Sequence, residues 1–174
     1  ALDKLGSFPV PGAIWNNALI ENKMELAKGV ACPKLLIISG SSAIEGIRAS
    51  QMEKTLGSRC INWGTSAGFG LHFMTWVSKT ALKPGDVALL AFEYEHYDYR
   101  KNENVDLTLL QLIASERQEY FEILPWMEAL KMKMSYNYRY LYQSLFTQYN
   151  PTMPPENWAR PRYDQWGDPL SEYW

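Results

Sequence analysis

Lys34-Leu35-Leu36-Ile37-Ile38-Ser39-Gly40-Ser41-Ser42 decides the fold of this chain. The run begins after Pro33 and carries four apolar residues in succession, so it offers no polar face to water. A strand lying on one exposed surface would alternate; a continuous apolar run is how a strand covered on both faces reads. Gly40 and the serines that follow form a turn of small residues at its carboxyl end.

Two further segments repeat the pattern. Arg59-Cys60-Ile61-Asn62-Trp63 runs into Gly64, and Val87-Ala88-Leu89-Leu90-Ala91-Phe92 follows the turn Lys83-Pro84-Gly85-Asp86 and ends at Glu93. Between them lie two helical stretches. Residues 50–56 start at Ser50 as a cap, carry Glu53 three positions on and stop at Gly57. Leu71, Met74, Val77 and Ala81 are spaced along one helix face.

Strand, helix, strand, helix, strand with connections of this length predicts parallel strands and right-handed crossovers. The fold expected is α/β: a three-layer sandwich on a short parallel sheet, plus a helical carboxyl-terminal section. One domain is expected over 1–174, with its core at 30–98, the helical section at 104–148 and a Pro/Trp-rich extended tail at 150–174. Residues 1–33 read as a leader packed over the domain, with a helix at 17–27. In the helical section, 106–120 and 126–146 have helical period, and Met127, Leu130, Met134, Tyr138, Leu141 and Leu145 form a stripe expected to be core.

Composition narrows the function classes. At 174 residues and 47% hydrophobic content the chain can build one sizeable core. Seventeen basic residues against nineteen acidic ones, with no run of one sign, give no track for a phosphate backbone, so no nucleic-acid partner is expected. Seven Trp and eleven Tyr suit an irregular core, or a sugar or protein surface. No apolar run approaches the ~20 residues of a membrane span. Cys32 and Cys60 are too few for a disulfide framework or a zinc site; they open adjacent strands, and a pair or two independent thiols both fit.

Open parallel sheets bind ligands at the carboxyl ends of their strands. Three segments arrive there: Gly40-Ser41-Ser42, the stretch from Asn62 to Gly68, and the stretch from Glu93 to Asp98. A serine at the first would have backbone N–H groups near any oxyanion formed on it, and glycines at the second allow close backbone approach. The hydroxyl-rich loop from Ser39 to Ser42 also suits a phosphate held by backbone amides, as in flavodoxin-like domains, which would bring a flavin or phosphate and no reactive serine. Glu93, Glu95, His96 and Asp98 read either as a solvated loop or as oxygen-rich ligands for a hard cation, with no spacing that selects a metal.

The ordered set Pro33 to Ala43, Ile61-Asn62-Trp63-Gly64-Thr65-Ser66-Ala67-Gly68 and Lys83-Pro84-Gly85-Asp86-Val87 resembles the amino-terminal half of an SGNH/GDSL-type hydrolase domain. It is most similar to the bacterial polysaccharide-associated branch in which GSS replaces GDS. The resemblance covers residues 30–98. It implies Ser42 as nucleophile and Gly64 or Gly68 as an oxyanion-hole amide; Asn62 and Glu93 are further candidates for the binding edge by their place at the strand ends. It also implies a serine-dependent esterase or acyltransferase acting on acyl groups, acetyl above all, of a carbohydrate, with no cofactor and a cell-envelope, extracytoplasmic location.

The chain departs from the family at two places. Glu93-Tyr94-Glu95-His96-Tyr97 stands where the family's third block carries an Asn donor, and no late Asp-x-x-His follows, the two histidines being His72 and His96. His96 is the candidate substitute base, or a structural residue; His72 reads as a surface or capping residue. The other reading is an inactive SGNH-like domain that binds a polysaccharide or a partner protein. A homo-oligomer, or a complementary segment supplying further strands, is the third.

Overall fold

A computed structural model of the chain describes residues 11–97, 107–146 and 163–170. Its order is α1 (Pro11–Gly29), β1 (Lys34–Ser39), α2 (Ser41–Gly46), α3 (Ala49–Leu56), β2 (Arg59–Gly64), α4 (Gly70–Lys79), β3 (Val87–Leu90), α5 (Leu107–Ser115), α6 (Tyr120–Ile123) and α7 (Trp126–Phe146), with short 3-10 turns at Ala67–Phe69 and Tyr94–Tyr97. The described residues fall into two compact units. Residues 18–97 and 163–170 make one, and residues 11–17 and 107–146 the other.

The first unit is a mixed α/β structure on a three-stranded parallel sheet in the order β2-β1-β3. β1 pairs with β2 from Lys34 opposite Arg59 to Ser39 opposite Gly64, and with β3 from Leu35 opposite Val87 to Ile38 opposite Leu90. The chain moves from β1 outward to β2, then returns past β1 to reach β3. Right-handed crossovers therefore put α2 and α3 on one face and α4 on the other, and all three pack on the sheet.

Strand alternation fills both faces. Ile37 and Cys60 join Ala43 and Ala49 in a buried cluster on the α2 and α3 side, with Ile47, Met52 and Trp166 against it. Leu36, Ile38, Ile61 and Trp63 have the other parity, and α4 brings buried Phe73, Met74 and Val77. Each fully buried Leu or Ile contributes about 2 kcal/mol.

At the amino ends of β1 and β3, the Lys34 ammonium and the Asp86 carboxylate form an ion pair with both side chains buried. Burial alone would raise the Asp86 carboxyl. The Lys34 ammonium and the amides of Lys83 and Lys34 outweigh it and hold the pKa at about 2.

Several expectations change. The third strand ends at Leu90 rather than Phe92, and it is not covered: Val87, Leu89 and Leu90 are 59%, 39% and 51% exposed. An apolar run states that a strand can be buried; it does not say on which side of the sheet its neighbours stop. Helix α3 begins at Ala49, with Arg48 at the N-cap and no side-chain cap bond, so Ser50 does not cap it. Glu53 instead accepts from the Cys60 amide at 3.0 Å and pairs with Arg59 at 2.6 Å. Cys32 is exposed, Cys60 is buried, and both are free thiols.

In the helical unit, Leu109, Leu110, Leu112, Ile113 and Tyr120 are buried. Four residues of the α7 stripe stand opposite to expectation: Met127, Leu130, Met134 and Tyr138 are exposed, while Tyr136 is buried and Ala129 and Met132 are half-buried; Leu141 and Leu145 lie outside the residues whose side chains are described. Both faces step by three and four, so periodicity alone could not choose between them. Asp98 and most of the expected tail, residues 150–162 and 171–174, lie outside the described residues.

Candidate functional site

The crossovers leave β1 and β3 in opposite directions, so the carboxyl ends of these two strands form the switch point at which open parallel sheets bind ligands. All three predicted segments meet there, the stretch from Asn62 to Gly68 through Ala67. Gly40 to Ser42 enters from β1, and Glu93 to Tyr97 from β3. The Glu93 carboxylate bridges them: the Ser42 amide donates to Oε1 at 3.0 Å and the Gly40 amide to Oε2 at 3.2 Å. The approach depends on Gly40, because a Cβ there would clash with both carboxylate oxygens and lie 2.7 Å from the Ala67 Cα.

Ser42 is exposed, and its Oγ lies 3.1 Å from the buried Ser39 Oγ. Ser39 has one hydroxyl proton and gives it to the Ala91 carbonyl, which can only accept. Ser39 Oγ can therefore only accept from Ser42, whose single hydroxyl proton goes either to Ser39 or to the Glu93 carboxylate. Burial by itself would raise the Glu93 pKa, but the Ser42 amide and hydroxyl and the His96 charge outweigh it, and the carboxyl is held below the ordinary range.

His96 is 7% exposed, packed edge-on against Phe92. Its Nε2 lies 2.8 Å from the Ala67 carbonyl and its Nδ1 3.1 Å from Glu93 Oε2, so both ring nitrogens face oxygen acceptors. The order is therefore Ser42, Glu93, His96. Serine hydrolases set the imidazole between hydroxyl and acid; here the acid stands in the middle.

Asn62 and Gly64, expected at the binding edge, are turned inward. Asn62 is fully buried, and the Gly64 amide donates to its Oδ1 at 2.9 Å, so that amide is engaged within the fold. Gly68 sits half-buried in the turn Ala67–Phe69. His72 is exposed on α4. Glu95 is exposed, and no three Cys, His, Asp or Glu side chains among the described residues gather as a metal site. No helix among them is long and apolar enough to cross a membrane.

Two residues outside every motif reach Asn62 on the outer edge of β2. Lys23, on α1, is fully buried with Nζ 2.9 Å from the Asn62 carbonyl and 4.6 Å from the centre of the Tyr163 ring. Burial lowers its pKa to about 7 against the opposing pull of Asp168 and Asp164. Asp168 lies in the segment read as a tail. No local pattern marks either residue, since their partners are 39 and more than 100 positions away. Set against protein-family models, curated proteins and solved structures, the chain matches none, and the chemistry of this crevice has to be read from its own geometry.

Proposed function

We propose that the crevice is a serine-dependent acyl-transfer site of the SGNH type, an esterase or acyltransferase for acyl groups on a carbohydrate, held in a resting arrangement by Glu93. One observation carries the reading. Beside an exposed serine hydroxyl, the amides of Gly40 and Ser42 both donate to anionic oxygen. Those are the donors that a tetrahedral oxyanion on Ser42 would need. The ordered sequence blocks around Ser42, Gly64 and Asp86 support the same family.

In the working cycle, Ser42 Oγ attacks the ester carbonyl carbon and its proton passes to a base. The C–O bond to the sugar breaks, and the leaving alcohol takes that proton. Water or another hydroxyl then attacks the acyl-serine and releases Ser42. Glu93 must first leave the amides, because a carboxylate there repels the oxyanion. His96 is the imidazole at hand, and it has to exchange places with Glu93 to reach Ser42.

Fluorophosphonate labelling with the adduct mapped by peptide mass spectrometry tests this. Glu93→Gln removes the charge and supplies an N–H donor, so Ser42 should label roughly tenfold faster or more than in the unmodified chain. Ser42→Ala should abolish the adduct. The second reading, a non-catalytic domain binding a polysaccharide or partner, draws on the order Ser42, Glu93, His96. It takes over if neither the native chain nor Glu93→Gln labels while a reference serine hydrolase in the same tube does.

A further inference from the structure

We infer that residues 163–170 form a clasp, and that Asp168 within it is a positioning residue for the turn bearing Ser42. The importance of that turn for chemistry rests on the acyl-transfer reading; the positioning itself does not. Asp168 is 2% exposed, and its carboxylate reaches helix α3 from 119 and 118 residues away. The Ala49 amide donates to Oδ1 at 2.9 Å and the Ser50 amide to Oδ2 at 3.1 Å. These are first-turn amides, which a helix cannot satisfy internally. A carboxylate at that position also complements the helix dipole.

The same carboxylate lies 3.3 Å from Asn62 Nδ2. Asn62 Nδ2 has two protons for three acceptors, this carboxylate, the Ala43 carbonyl at 2.8 Å and the Ile47 carbonyl at 3.0 Å, so one proton is shared. Ala43 follows Ser42 directly, and Ile47 closes helix α2. Asn62 thus holds the far side of the Ser42 turn, while Asp168 holds the start of α3 and orients Asn62. Three segments distant in sequence converge on two side chains.

The clasp is itself built for this position. The Asn62 amide donates to the Trp166 carbonyl at 2.7 Å, and Asp164 Oδ1 accepts the Trp166 and Asp168 amides at 2.9 and 3.0 Å. Gly167 has φ +75°, and a Cβ on it would lie 2.6 Å from the Asn62 carbonyl oxygen, so only glycine lets the clasp close on β2.

Asp168→Asn in the full chain is the test, read by hydrogen exchange of individual amides. Exchange at residues 43–50 should rise roughly tenfold or more, the loss expected of hydrogen bonds to a charged acceptor, with α4 little changed. Unchanged exchange at 43–50, or an equal rise throughout the chain, overturns the inference. Asp168→Glu is the second variant if Asn prevents folding, with the same segment-confined rise expected. Ser42 labelling gives a separate arm. It should slow in Asp168→Asn and not in Val77→Ala, a core variant matched in thermal stability; equal slowing in both overturns the positioning role. If Ser42 labels in no variant at all, Glu93→Gln included, the acyl-transfer reading falls while the exchange arm still decides whether Asp168 positions the turn.

Discussion

Along β2, the outer edge is occupied at each alternate residue: the Cys60 amide is taken by Glu53, the Asn62 amide by Trp166, and the Gly64 amide by the Asn62 side chain. Lys23 takes the Asn62 carbonyl as well. Along β3, the Ala91 amide bonds Ile38 on β1, so Val87 and Leu89 face the same way and Ala88 and Leu90 turn their backbone groups outward. Among the described residues nothing pairs with that edge, and Val87 to Phe92 carries no charge to guard it. One edge is finished by polar groups drawn from α1, α3 and residues 163–170; the other keeps the surface of an interior strand. An apolar sequence can therefore mark either a covered strand or an edge with no protection of its own.

The comparison breaks most visibly on the β2 side. Asn62→Ala leaves the Gly64 amide and the Ala43 and Ile47 carbonyls without partners, and should cost about 4 kcal/mol by urea unfolding, each buried orphan contributing roughly 1–3. A small loss would mean that the closed edge is not what holds β2.

Next in size is the effect of Lys23. Its folded pKa of about 7 lies below the value of 10.5 in the free side chain, so the unfolded chain holds more protons between those values. Stability should accordingly rise with pH from about 7 to about 10.5, by at most ~1.4 kcal/mol per unit from this group. Lys23→Met should remove that contribution to the slope, and an identical pH profile in the variant would show that the buried ammonium is not the source. The smallest effect is expected on β3. Leu90→Lys should shift unfolding by no more than ~0.5 kcal/mol, while reducing any self-association seen by light scattering. A loss of several kcal/mol would mean that the edge is covered after all.

The parallel sheet was legible because the signals that make it are local. Four apolar residues after Pro33, the Lys83 to Asp86 turn and the glycines at strand ends lie within a few positions of what they control. Ser42 and Glu93 could be placed together because crossover handedness brings the ends of β1 and β3 to one crevice. The β3 edge and the inward face of α7 could not be read, since apolar character shows capacity for burial and not the presence of a neighbour. The cap of α3 is not at Ser50 for a related reason. Its acceptor, Asp168, belongs to a distant segment, and a local cap pattern has no means of registering it.

The distance of the clasp also has a consequence for synthesis. Residues 34–90 contain all three strands, so the sheet can assemble on a nascent chain long before residue 163 is made. Throughout that interval the Asn62 amide lacks Trp166 and the first turn of α3 lacks Asp168, so the middle of the β2 edge stays open. Completion of the clasp is the event that ends this exposure, which makes residues 163–170 the last-arriving part of a sheet whose strands were finished more than seventy positions earlier.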